Sequence, residues 1–515
     1  MTLKSRARYW KDLEQMAGWS YTLNDLARII GAEPPRNEVS FSSVSTDTRT
    51  LNPGDVFFAL AGPNFDGNRF VPDAFKKGAA AAVAKTASDV GPCLVVDDPL
   101  KALQQFAAHH RARYDIPVLA LTGSCGKTST KEMAAQLLST RYNVVKTQGN
   151  LNNEIGCPLS LLQLDGETDI AVIEMGANHK GEIAGLCAIA HPTESAITMV
   201  APAHLEGFGN IENVAKAKAE IVQALGACKE GFRDGFQGLG AMDKTASLTA
   251  AVANGGPRTT PSYPCHPGAK GSSVHTPSAA GTFYVNCDDP WCVRIAESFG
   301  GRKVRFGSGG DVALEASRVI GPGEMELRIA PIGMVRLPLP SRAHAQNVLL
   351  AVAVGLEHAV DTFEGPLREA CAASKRFNVL AIGPLTVIDD TYNANPASMA
   401  ASLDALAEWP GGGARMAALG EMLELGDAAA SLHCEVGTKA GRAGISHLFA
   451  KGPHACDTIE AARAASVSHT EAIDDPRDLA QAIQRVARPG DLLLVKGSRG
   501  MHMERVIQAL KELYS

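Results

Sequence analysis

The stretch Thr122-Gly123-Ser124-Cys125-Gly126-Lys127-Thr128 constrains what this chain can fold into more than any other feature. An apolar run, Val118-Leu119-Ala120-Leu121, leads into it, and Met133, Leu137 and Leu138 follow at helical spacing. A glycine-bearing turn between a buried strand and a helix start aims backbone N–H groups and the positive end of the helix dipole at one point, which suits an anion. In that setting Lys127 supplies a point charge for outer phosphates and Thr128 a hydroxyl for Mg²⁺. The bland alternative is a tight glycine turn entering a helix, but GKT with a strand before it and a helix after it favours the phosphate site. The full GxxxxGK[ST] pattern needs glycine at position 121, where this chain has Leu121. The loop is therefore a shortened variant, which counts against a GTPase or a motor.

The rest of the chain keeps the same rhythm. Runs without polar alternation at Ile170 to Ile173 and Ala196 to Val200 predict buried parallel strands covered on both faces. Short strands such as Val56 to Leu60 and Leu94 to Val96 alternate with helical patterns such as Leu26, Ile29 and Ile30, predicting a small α/β unit ahead of the glycine loop. Beyond Glu364, strands at Leu385 to Ile388, Met416 to Leu419 and Leu492 to Val495 alternate with helices, predicting a further doubly wound sheet. At ~150 residues per domain, 515 residues leave room for three or four domains. The reading is an α/β protein of three domains, 1–115, 116–363 and 364–515. Residues 230–281, rich in Gly, Ser, Thr, Pro and Ala without apolar periodicity, are read as a disordered surface insertion in the second.

Composition removes several classes. Lys+Arg 49 against Asp+Glu 55 gives a formal charge of −6, so no global positive field holds a polyanion, and nucleic acid is not expected as a partner. Eleven cysteines without a CxxC pair read as reduced thiols and a cytoplasmic home. The start has no apolar leader, and no run of about 18 apolar residues occurs, so neither a signal peptide nor a membrane span is expected.

Three further residues complete a candidate metal site. Glu174 closes the strand that begins near Asp169, where a carboxylate faces the ligand crevice of a parallel sheet. His204 follows the strand ending near Val200, with a hydrogen-bonded loop histidine as its alternative. Lys218 falls on the apolar stripe of a helix from Ile211 to Leu225, with Ile211, Val214, Ile221 and Leu225, while Lys216 points elsewhere. A lysine on a buried stripe either snorkels or is desolvated, and desolvation lowers its pKa and makes the amine nucleophilic. Near Mg²⁺ such an amine could add CO₂ and become a carbamate ligand.

TGSCGKTSTKEM, NLNNEIGCPLSLL, VIEMGANHKGEI, AHLEGFGNIENVAKAKAEI, DDTYNANPASM, LGEMLELG and KGSRGMHME together resemble the ATP-dependent Mur ligases of peptidoglycan synthesis. The likeness runs from about Val44 to Arg505 apart from the insertion, and the YNANP and EMGANH stretches resemble the member that adds D-alanyl-D-alanine. The resemblance implies an N-terminal UDP-sugar-binding domain, a central P-loop ATPase domain and a C-terminal Rossmann-like domain. It implies joining of UDP-N-acetylmuramoyl-tripeptide to D-alanyl-D-alanine through an acyl phosphate, with ATP and two Mg²⁺, in a cytoplasmic and monomeric enzyme. The implied ATP contacts are Gly123, Ser124, Cys125, Gly126, Lys127, Thr128, Ser129, His344, Asn347 and Asp390. The implied substrate contacts are Ser45, Thr46, Asp47, Thr48, Arg49, Asn64 and Asp66 for the UDP group, Asn152, Asn153 and Glu154 for the tripeptide, and Tyr392, Asn393 and Asn395 in the third domain. Lys127, Glu174, His204, Lys218 and Arg376 would be catalytic, with Thr128, Glu174, His204 and Lys218 as metal ligands and Arg376 clamping the transferring phosphoryl. Asn395 would also cap a helix begun by Pro396. Two positions depart from the family pattern, Ala345 in the adenine motif and Glu421 where aspartate is usual. The alternatives are a relative such as folylpolyglutamate synthase, a P-loop kinase or NTPase, and an inactive binding module.

Overall fold

The computed structural model describes residues 18–36, 38–62, 65–231, 281–373 and 377–515, without the side chains of 227–231. Asn64, Arg376 and nearly all of the expected insertion lie outside the described residues. In the first unit, α1 (Leu23–Ile30) starts at a reciprocal cap between Thr22 and Asp25 and buries Leu23, Leu26, Ala27 and Ile30. Strands β1 (Val44–Ser45), β2 (Val56–Phe58), β3 (Ala81–Ala84) and β4 (Cys93–Val95) pair in that order, all parallel. Asp98 caps α2 (Pro99–Arg111), whose buried face holds Leu103, Phe106 and Ala107.

The middle unit is a six-stranded, all-parallel sheet of β5 (Val118–Thr122), β6 (Val144–Lys146), β7 (Ile170–Glu174), β8 (Glu194–Ile197), β9 (Thr282–Asn286) and β10 (Arg302–Phe306), ordered β6-β7-β5-β8-β9-β10. Every residue of β5 is buried: Val118 and Ala120 join one core, Leu119 and Leu121 another. That is the period-2 signature of a strand covered on both faces. The first core includes residues of α2, α4 (Glu182–Ala190), α5 (Ile211–Gly231) and much of the first unit. The second includes residues of α3 (Lys127–Leu138), α6 (Ala345–Glu357), α7 (Glu364–Ala373) and an antiparallel sheet of β11 (Ala313–Gly321), β12 (Glu324–Ala330) and β13 (Gly333–Leu337).

One expectation needs correction here. The strand read as Ala196 to Val200 ends at Ile197, because the chain then turns beneath the glycine loop, with Thr198 N donating to Thr122 O at 2.9 Å and Ser124 N to Met199 O at 2.9 Å. Near the expected boundary at 363/364, Leu367 and Ala370 of α7 belong to the second core, and Gln136 on α3 bonds Glu369 at 2.8 Å. The helix α7 thus packs on the middle unit.

The third unit orders its strands β14-β15-β19-β16-β17-β18, with β14 (Asn378–Ile382) antiparallel to β15 (Leu385–Asp390) and the others parallel: β16 (Arg415–Gly420), β17 (His447–Lys451), β18 (His469–Ala472) and β19 (Leu492–Lys496). Asn395 caps α8 (Pro396–Glu408) by accepting from Ser398 N, with proline at the first turn, as the sequence predicts. No helix of the described residues is long and apolar enough to cross a membrane.

Candidate active site

The glycine loop leaves the carboxyl end of β5, between β7 and β8, where the chain passes from one side of the sheet to the other. Gly123 and Gly126 have φ of +151° and +84°, and a Cβ on Gly126 would lie 2.2 Å from Asn347 Oδ1. Glycine here lets the loop press against α6. Lys127 opens α3 and its Nζ folds back onto Gly123 O at 2.6 Å, while Ser124 Oγ donates to Ala201 O at 2.8 Å. Thr128 Oγ1 donates to Glu174 Oε1 at 3.1 Å, and Asn152 Nδ2 donates to the same oxygen at 2.8 Å. Glu174 Oε2 is buried and accepts no hydrogen bond, with Lys131 Nζ at 3.7 Å. A buried carboxylate oxygen left open beside a threonine hydroxyl suits a hard cation that also takes phosphate oxygens.

His204 and Lys218 lie on the chain that follows β8. Lys218 is buried on α5 and Lys216 is exposed, as the stripe predicts. Burial first, and then the charge of Lys127, bring its pKa from 10.5 down to about 7. His204 stands at φ +53° ahead of the short helix Leu205–Phe208. Burial lowers its pKa, Glu424 pulls it back up, and the charges of Lys127 and Lys218 oppose protonation. Lys127 thus lies within electrostatic range of both His204 and Lys218. Among the described residues no group of three or more His, Cys, Asp or Glu is placed to hold a metal, so any ion here would draw on hydroxyl, phosphate or modified-lysine oxygens as well.

A cavity of about 400 Å³ lies between the middle and third units. Ser124 to Ser129, His344 and Asn347 line it from one side, and Asp390, Tyr392, Asn393 and Asn395 from the other. His344 Nδ1 meets Ser341 Oγ at 3.1 Å, and Asn347 Oδ1 accepts from Thr130 Oγ1 at 3.3 Å. Asn395 Nδ2 donates to Ser124 O at 3.0 Å, so the cap of α8 also touches the glycine loop. Asp390 accepts from Ser402 Oγ at 2.7 Å and pairs with Lys496.

The other expected contacts lie elsewhere. Ser45 ends β1 and Thr46, Asp47, Thr48 and Arg49 follow it into a turn of the first unit, away from this cavity, with Arg49 paired to Asp47 at 2.6 Å and Lys77 donating to Thr48 O at 2.6 Å. Asp66 caps a short 3-10 turn by accepting from Asn68 N at 3.0 Å. Asn153 Oδ1 accepts from Gly156 N at 2.9 Å. Asn153 and Glu154 line a second cleft, of about 230 Å³, between α2 and α4.

Sequence reasoning missed three cavity groups and one buried lysine. Lys131 is fully buried on α3, 2.9 Å from Glu132, and sits on a stripe with Ala134 and Leu138, so the argument used for Lys218 would have found it. Lys496 closes an apolar strand much as Glu174 does. Phe377 and Trp409, with ring centroids 6.2 Å apart, face the cavity from the third unit, and nothing in their local pattern announces it.

Fold and site together define a P-loop enzyme with a cavity between two α/β units. Family models agree: the Mur ligase family catalytic domain matches residues 40–111, the Mur ligase middle domain 121–232, and the Mur ligase glutamate ligase domain 375–499. The chain is 34% identical to the UDP-N-acetylmuramoyl-tripeptide--D-alanyl-D-alanine ligase of Escherichia coli K12, covering 96% of this chain and 99% of that protein. The crystal structure of MurF from Acinetobacter baumannii superposes with a TM-score of 0.78 at 28% identity, covering 96% of this chain and 100% of that one. The MurF ligase from Thermotoga maritima in complex with ADP gives 0.71 at 26%, covering 91% and 97%. This chain belongs to the Mur ligase family and is an ATP-dependent ligase.

Proposed function

We propose that the protein joins D-alanyl-D-alanine to UDP-N-acetylmuramoyl-tripeptide in peptidoglycan precursor synthesis, with ATP cleaved to ADP and phosphate. One observation carries this reading: the glycine loop and the Tyr392 to Asn395 turn face each other across a single cavity, joined by the Asn395–Ser124 hydrogen bond. The relatives that share nearly the whole chain bear this activity in their names.

The backbone N–H groups of Ser124 to Ser129 and the dipole of α3 hold the outer phosphates, and Lys127 balances their charge. The terminal carboxylate of the tripeptide attacks the γ-phosphorus; the bond to the bridging oxygen breaks and ADP leaves. The free amine of D-alanyl-D-alanine then attacks the acyl carbon, phosphate departs, and the amine gives up a proton as the amide forms. His344 and Asn347 take the adenine end, and Asp390 orients the nucleotide with Lys496. Ser45 to Arg49, Asn64 and Asp66 take the UDP group, Asn152 to Glu154 the tripeptide, and Tyr392, Asn393 and Asn395 the acceptor side. Arg376 clamps the transferring phosphoryl. Closure of the third unit keeps water from the acyl phosphate.

Two Mg²⁺ ions suit this donor set. Thr128 and Glu174 would hold one, and His204 with Lys218 the other, supplying charge neutralisation and positioning of phosphate and carboxylate. Lys218, held near neutrality, is suited to add CO₂: an N–C bond forms, a proton leaves, and the carbamate offers an oxygen ligand. We place the enzyme in the cytoplasm as a monomer, divided at about 115 and again at the end of α7.

The deciding assay is phosphate release from ATP with the UDP-muramoyl-tripeptide, with and without D-alanyl-D-alanine. Dipeptide-dependent release supports the ligase, whereas release indifferent to the dipeptide returns the protein to a simple NTPase. Folylpolyglutamate-type chemistry would instead require a folate and glutamate. Substrates carrying meso-diaminopimelate or lysine at the third position then identify the natural tripeptide.

A further inference from the structure

The third unit reaches the middle unit's histidine directly. The Glu424 carboxylate meets His204 Nδ1, and Glu424 O accepts from Glu206 N at 3.1 Å. Leu205, between those two middle-unit residues, packs against the core of the third unit. Gly426 lies close enough that a Cβ would come 3.5 Å from Glu206 Cα. His204 and Glu424 both adopt left-handed backbone conformations, φ +53° and +65°. For side chains with a Cβ this is an uncommon geometry that persists only where surrounding contacts impose it.

A histidine whose Nδ1 is held by a carboxylate has its tautomer and ring plane fixed, leaving Nε2 as the nitrogen for a metal. The geometry points to Glu424 as a positioning residue that reaches across the domain boundary to orient His204, so that this half of the metal site is completed only when the third unit is docked. Glu424 is not among the residues that line the cavity faced by the glycine loop; it acts through the imidazole. The loop from Glu421 to Gly426 thereby links domain closure to cation binding. The inference rests on the ligase reading, in which His204 serves as a metal ligand.

The test measures Mn²⁺ binding to the full-length, ADP-bound protein by electron paramagnetic resonance, in the wild type, Glu424→Ala, Glu424→Gln, His204→Ala and the His204→Ala/Glu424→Ala double variant. Loss of such a carboxylate is expected to weaken one Mn²⁺ site by roughly 10- to 100-fold in Glu424→Ala. Glu424→Gln, which keeps an acceptor without the charge, should lose less. In the His204→Ala background, removing Glu424 should change affinity by less than about twofold, because the two groups act as one. Mn²⁺ affinity unchanged in Glu424→Ala, or an equal loss with and without His204, would overturn the inference and leave Glu424 as a mere clasp between units. Should Glu424→Ala fail to fold, Glu424→Gln carries the same comparison. Dipeptide-dependent phosphate release by the wild type is scored separately, so failure of the ligase reading and failure of the positioning role are distinct results.

Discussion

Lys218 shows how far one side chain can be read. Its place on the stripe of α5 predicts burial, and burial together with Lys127 brings the ammonium down to about 7. Lys218→Ala should abolish dipeptide-dependent phosphate release, with partial rescue by small carboxylates if a carbamate is the ligand; a near-normal rate in that variant would refute the role. Because only the neutral amine adds CO₂, activity of the wild type should rise with pH through about 7. His110 makes a second residue-scale case. It bridges Tyr21 Oη at 3.1 Å and Leu164 O at 2.8 Å, and burial lowers its pKa from 6.5 to about 4. Between those values the unfolded chain takes up a proton that the folded chain refuses, so stability should fall as pH drops from 6.5 towards 4. Urea unfolding of His110→Gln across that range should show a shallower slope than the wild type.

Among the elements, α8 does two jobs with one residue. Asn395 Oδ1 accepts from Ser398 N at 2.9 Å as a helix cap, and Nδ2 donates to Ser124 O at 3.0 Å. The two roles separate by substitution. Asn395→Ala should lose about 1 kcal/mol of stability with the cap and also weaken ATP binding. Asn395→Ser keeps a capping oxygen but its shorter side chain loses the Nδ2 arm that reaches Ser124 O, so its melting temperature should stay near the wild type while KM for ATP rises. Equal KM values for Asn395→Ser and the wild type would show that the contact to the glycine loop does not matter. The α3 helix makes the complementary point: its glycine entry is plain from sequence, yet its buried Lys131 becomes meaningful only once β7 brings Glu174 alongside.

At the scale of the whole molecule, the cavity faced by the glycine loop belongs to no single unit. ADP should therefore slow amide hydrogen exchange in both α3 and α8, although these lie in different sheets' layers; protection confined to α3 would place the nucleotide outside the shared cavity. At 100 times its dissociation constant, ADP should add about 2.7 kcal/mol to the stability of the binding form. Local chemistry along the chain determined the parallel α/β architecture, the glycine loop, Glu174 at a strand end and Lys218 on a buried stripe, because periodicity, glycine placement and strand termination are short-range properties. Residue types alone could not place α7 with the middle unit, nor the Asp390–Lys496 pair, nor the Phe377 and Trp409 wall. Above all, the meeting of His204 with Glu424, 220 positions apart, was decided by tertiary structure. Such a contact depends on how two separately folded units dock, and no local pattern encodes a docking angle.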